Sequence, residues 1–183
     1  LVDASLPFDA ALVARRGDIL ADIVAAVVSL DVAEATRVRV AEQSGWLVDA
    51  FITTLKAIEA AAPSEIFLWT LDEILRQTVL EQRDVTAWQD GISVLRRYVL
   101  SCIEPQTVLW QVENLFQQAR VMIGGAAQQA QASQRLQAAR RDQTLRDVGQ
   151  TLITAVSIDA LADMIAYELS RLDIPSSYLS LYI

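Results

Sequence analysis

Four tryptophans, Trp46, Trp69, Trp88 and Trp110, fall on four successive predicted helices. Converging in a bundle, side chains of that size would line a pocket for an apolar ligand. The commoner arrangement puts them in the core or at an interface, with each indole N–H satisfied near the surface. The acidic pairs lead to no catalysis. Asp18 and Asp22 share a helix face, but Arg15 and apolar neighbours make them an ordinary surface pair rather than a metal site. Asp72 and Glu73 are adjacent, so they point in different directions and do not act jointly on one substrate. The sequence has 0 histidines. That removes His-ligated haem, His-containing zinc sites, a His-based triad and a phospho-accepting His from this segment. The sequence also lacks a nucleophile–base pair, a metal-spaced cluster and a phosphate loop. The expectation is a chain that is not an enzyme and carries no cofactor and no metal.

Charge narrows the partners. The net charge is −8, and Lys56 is the one lysine among 15 basic residues. No basic run is available to neutralise phosphates, so no nucleic acid is expected as a partner. The most apolar stretch, "ILADIVAAVVSL" from Ile19 to Leu30, is too short to span a bilayer and contains Asp22, so no membrane contact is expected of this segment. Cys102 is alone, which excludes an intramolecular disulfide within this segment and suits a cytoplasmic location; residues from Leu1 onward do not read as a signal peptide, and a start without Met suggests an upstream portion.

The elements that would position these residues are helices. Apolar residues make up 53 % of the chain, with 6 Gly and 4 Pro, as long helices with short links require. Pro7 precedes a first helix whose inner stripe is Leu12, Ile19, Ile23, Val27 and Leu30. Asp31 and Glu34 resemble a capping box opening a second helix, with Val38, Ala41, Gly45, Val48, Ile52 and Leu55 inward. Pro63 ends it. Ser64 caps a third helix burying Phe67, Leu71, Ile74 and Thr78. Asp84 caps a fourth carrying Trp88, Ile92, Leu95, Val99 and Cys102. Such short links favour antiparallel neighbours.

A fifth helix starts at Glu104-Pro105 and changes character midway. From Val108 to Ala127 it is apolar nearly all round and is expected inside the bundle. Gly124 and Gly125 interrupt it at a cost of about 1 kcal/mol each relative to Ala. They are read either as a hinge or as a close approach between packed helices. From Gln128 to Thr144 Leu136 is the one large apolar residue, yet no helix breaker intervenes, so the helix is expected to leave the bundle and project. A solvated helix of that kind calls for a partner. Leu145, Val148, Leu152 and Val156 form a stripe suited to a dimer seam, out of register with Leu136. Arg135, Arg140, Arg141, Arg146, Asp142 and Asp147 form a charged node, most simply a solvated helix surface and alternatively an interchain contact that sets register.

The end of the chain reads differently. After a helix with Ile158, Leu161, Ile165, Leu169 and Leu172 inward, Pro175 breaks the pattern, and Tyr178, Ser180 and Tyr182 alternate with Leu179, Leu181 and Ile183 as in a β-strand. The order "LRDVGQTL", "DALADMIAYEL", "IP", strand over residues 145–183 resembles the start of a GAF domain of bacterial sensory proteins. That resemblance implies that the sheet and ligand pocket lie beyond Ile183 and carries over no ligand residue. "RDVTAWQDGISVLRRYVLSCI", from Arg83 to Ile103, is similar to the globin-like helical sensor domains of bacterial stress-signalling co-antagonists; without His, such a bundle would bind no haem.

The expected fold is all-α: an antiparallel bundle over 1–127, a projecting signalling helix over 128–156, and the truncated start of a GAF domain, with its terminal helix and one β-strand, over 157–183. The expected role is input and relay in a parallel homodimer of a multidomain signalling protein such as a histidine kinase or diguanylate cyclase, with GAF and output domains downstream. The alternative is a helical dimerisation scaffold that binds no ligand.

Overall fold

The computed structural model describes residues 8–28, 32–102 and 106–153, and positions 162, 163, 165, 167 and 169. It is all-helical over these residues: α1 (Phe8–Ala14), α2 (Arg16–Val27), α3 (Glu34–Glu59), α4 (Ile66–Leu80), α5 (Trp88–Leu100) and α6 (Gln106–Ile153). The expected β-strand lies outside the described residues, and among them there is no strand. The chain forms two compact units, Leu1–Ala130 and Gln131–Ile183.

The first unit is a helical bundle. α2 packs on α5 and α3, and α3 packs on α4. Its centre is three phenylalanines from three helices: Phe51 and Phe67 meet edge to face at 5.1 Å, and Phe116 stacks on Phe51 at 5.2 Å. Such ring pairs add to the burial term because the positive edge of one ring meets the negative face of another. Leu12, Ile19, Ile23, Leu47, Leu55, Leu71, Ile74, Ile92 and Val99 are among the core residues around them.

Several sequence-based expectations need correction. The first helix is two, broken at Arg15, whose φ of −98° and ψ of 5° leave helical geometry. Leu12, Ile19 and Ile23 are still all buried. The break also sets Arg16 against Asp49 of α3 in a two-pronged pair at 2.7 and 2.8 Å.

The stripe expected on α3 is partly out of phase. Val38 is 50 % exposed and Ala41 is exposed, whereas Gln43, Ser44 and Thr54 are buried. α3 has α1, α2 and α4 around it, so its buried arc is wider than an apolar stripe and takes in polar residues. Its N-cap is Ala33; Asp31 lies outside the described residues.

Ser64 does not cap α4. The N-cap is Glu65 with no side-chain bond, and Ser64 Oγ sits 3.3 Å from Thr54 Oγ1, which accepts the Phe67 backbone N–H. Asp84 acts ahead of α5 without being its N-cap, accepting the Thr86 N–H and O–H at 2.8 and 2.6 Å.

α3 and α4 end alike. Ala61 and Gln82 have φ of 53° and 55°. Ala61 N–H donates to the Ile58 carbonyl and Ala62 N–H to that of Ala57; Gln82 and Arg83 repeat this with Val79 and Thr78. These are Schellman caps with side-chain-bearing residues where glycine is usual. They, rather than Pro63 alone, terminate the helices.

α6 is one 48-residue helix, as the lack of a breaker implied. Within the bundle it is one-sided, not buried all round. Val112, Phe116, Ala119 and Ile123 face the core, while Trp110 and Val121 are 78 % and 74 % exposed. The expectation of burial failed because hydrophobicity fixes how much of a helix prefers burial, not how many neighbours are present to bury it.

Candidate functional site

The second Schellman turn builds the most connected polar site. Gln82 reverses the chain, and Arg83 folds back on α3 and α4. Its guanidinium donates to Glu81 Oε2 at 2.7 Å and to Gln43 Oε1 at 3.0 Å. Gln43, fully buried, donates to Gln77 Oε1 at 3.0 Å, and Gln77 donates to Glu73 Oε1 at 3.0 Å. Arg39 of α3 pairs with the other oxygen of Glu81. A cleft of 310 Å³ opens beside them, lined by Ala35, Thr36, Arg39, Glu81 and Arg83. Burial pushes the Glu81 carboxyl up, but Arg83 and Arg39 together outweigh it and hold the carboxyl below its ordinary range. Each amide of the row both donates and accepts, so the buried Gln43 is satisfied on both sides, by Arg83 and by Gln77. With both guanidinium groups hydrogen-bonded to the one carboxylate of Glu81, the arrangement ties α3 to α4. The Gln43–Gln77–Arg83 set was not found in the sequence, because residues 34 and 40 positions apart leave no periodic signal.

A second polar group joins α2 and α5. Asp22 Oδ2 accepts from Tyr98 O–H at 2.8 Å and from Arg97 at 3.0 Å. The Arg15 guanidinium lies 4.5 Å from the centre of the Tyr98 ring. The hydrogen bond to Asp22, with desolvation and the Asp22 charge, pushes the Tyr98 phenol up against the opposing pull of Arg15. Asp22 is thus a structural acceptor. Asp72 and Glu73 take separate partners, Arg76 and Gln77. Among the described residues no group of three or more His, Cys, Asp or Glu is placed to hold a metal.

The four tryptophans are not brought together by burial. Trp88 is buried in the core, its indole N–H donating to Thr78 Oγ1 at 3.1 Å. Trp46, Trp69 and Trp110 are 53 %, 80 % and 78 % exposed. A hollow of 330 Å³ lies beside Trp110, lined by Leu109, Trp110, Glu113, Asn114 and Gln117 of α6. At Gly124 and Gly125 an added Cβ would meet nothing within 4 Å, so neither glycine serves a close approach among the described residues of this chain.

In the second unit, residues 131–143 of α6 are exposed. Leu145 is 57 % exposed and Val148 is 6 % exposed. The Leu152 side chain and Val156 lie outside the described residues. The charged node forms contacts along its own helix: Gln143 donates to Asp147 at 2.8 Å and accepts from Arg146 at 3.3 Å. Among the described residues no helix is long and apolar enough to cross a membrane. No family model, curated protein or solved structure matches the chain.

Proposed function

We propose that this chain is the sensory-input and signal-relay segment of a multidomain signalling protein, working as a parallel homodimer with a GAF domain and an output module downstream. The observation that carries this reading is the course of α6. Its first turns are anchored in the bundle core by Val112, Phe116 and Ile123, and the same unbroken helix enters the second compact unit, where Val148 is buried. Between them, residues 131–143 have no buried side chain. A helix so built has little use as packing but ties the backbone of one unit to that of the other. Gly124 and Gly125 sit near the end of the anchored part, where two weak helix formers with no close approach to protect among the described residues are suited to act as a hinge.

The test is helical phase. Inserting two residues after Gln134 rotates the downstream part of the helix by about 200°, whereas inserting seven restores the phase to within about 20°. The relay predicts that amide exchange over Leu145–Ile153, and output in the longer protein, change with the first insertion and recover with the second. Equal behaviour of both insertions and the parent would reduce α6 to a spacer. Gly124→Ala with Gly125→Ala, measured at a concentration that keeps the chain monomeric, stiffens the hinge and is expected to raise stability by up to about 1 kcal/mol per site while altering relay.

A further inference from the structure

We propose that the outer face of α6 between Trp110 and Gln128 docks against the same face of a second copy of this chain. This deepens the relay reading, from which it takes only the expectation of a dimer; the face is chosen on separate grounds.

Trp110, Asn114, Gln117, Val121, Gly124 and Gln128 succeed one another at spacings of four, three, four, three and four. That alternation is the a/d pattern of a two-helix seam, and it lies opposite the buried stripe of Val112, Phe116, Ala119 and Ile123. Its two large apolar residues are the exposed Trp110 and Val121. The hollow beside Trp110 gives a facing side chain somewhere to enter. Gly124, where an added Cβ would meet nothing within 4 Å among the described residues, would let a second backbone approach.

Charge selects the occupant. A chain of net charge −8 repels its own copy, so a self-association face must be one where the charge is absent. Between Gln106 and Ala130 the charged residues are Glu113 and Arg120. Both bond to α5: Glu113, which also lines the hollow, has its charge matched by Arg96 at 2.6 and 3.1 Å, and Arg120 reaches Ser93 Oγ at 3.4 Å while its carbonyl accepts from Gln89. The seam keeps neutral amides, which are donor and acceptor at once and therefore complementary to themselves across a two-fold axis. A strongly charged partner, or an anionic lipid surface that calls for Lys and Arg, finds no counter-charge on this face. The exposed face of α4 differs, since Asp72, Glu73 and Arg76 accompany Trp69 and Leu80.

The strip is about 27 Å long and, at a helix width of about 10 Å, covers about 270 Å² per copy. That is well under the ~800 Å² per partner of a standard interface, so the association is expected to be weak and concentration-dependent. Sedimentation velocity of the full chain over a wide concentration range tests it. The parent is expected to shift from monomer to dimer as concentration rises, and Val121→Arg to weaken association at least about tenfold. Because Val121 is exposed, the variant should keep its helical circular dichroism; Gln117→Arg is a second substitution with the same expected effect. A parent that stays monomeric throughout overturns the proposal, as do folded arginine variants that dimerise like the parent. Leu152→Asp separates the two readings. If it abolishes dimers while the arginine variants do not, this face is wrong and the relay dimer stands. If a dimer survives all three substitutions, both lose their interface.

Discussion

Thr78→Val tests whether the α4–α5 packing is specified by a hydrogen bond or by volume alone. Thr78 and Trp88 are both fully buried, and the indole N–H donates to Thr78 Oγ1 at 3.1 Å. The same hydroxyl donates to the Ile74 carbonyl at 2.8 Å. Valine keeps the shape and the β-branch but has no oxygen. The indole N–H is then left in the core without an acceptor, at a cost of about 1–3 kcal/mol. The added methyl returns up to about 0.8 kcal/mol of burial. Helix propensities of Thr and Val are close, so that contribution cancels. The net expectation is a loss of about 1–2 kcal/mol, which for a chain of this length lowers Tm by roughly 2–8 °C. Thermal unfolding followed by circular dichroism measures it, with Thr78→Ser as the control that retains the acceptor and loses the methyl. Adding Trp88→Phe should make Thr78→Val nearly harmless, because donor and acceptor are then both gone. A Thr78→Val protein at least as stable as the parent, with Thr78→Ser less stable, would refute the hydrogen-bond argument and leave packing alone in charge.

Gly91→Ala should destabilise despite its better helix propensity, because the new methyl would sit 3.0 Å from Val27 Cγ2 and 3.4 Å from Ile23 Cγ2; overpacking costs about 1–3 kcal/mol, and Val27→Ala in the same protein should restore Tm in a thermal melt. Gln82→Gly should stabilise by about 1 kcal/mol, since a φ of 55° burdens any side chain, read as a higher urea midpoint at unchanged m-value. The Glu81 carboxyl is held below its ordinary range, so its pairing stabilises the fold above the unfolded carboxylate pKa and is lost as pH falls through the lower folded value. Glu81→Gln should flatten that acid limb, and a denaturation profile parallel to the parent's at every pH would count against the pairing.

Local chemistry in the sequence determined the helices and much of the core. Phe67, Leu71, Ile74 and Thr78 on α4, and Trp88, Ile92, Leu95 and Val99 on α5, are buried as their spacing required, because a 3.6-residue period leaves one face per helix for apolar side chains. The continuity of α6 was equally legible, since Ala, Gln and Arg without a breaker have no reason to leave the helix. Tertiary structure alone decided the rest. Whether a tryptophan is core or surface depends on which helix lies across from it: Trp88 is buried with its N–H satisfied, while Trp46, Trp69 and Trp110 face outward. Gln43 lies inside because Gln77 and Arg83 satisfy it there, and no window of sequence holds all three. Periodicity tells a helix which side to turn inward; only its neighbours determine how wide that side is, and Gln43 is satisfied in the core because residues far away in the sequence supply its hydrogen bonds.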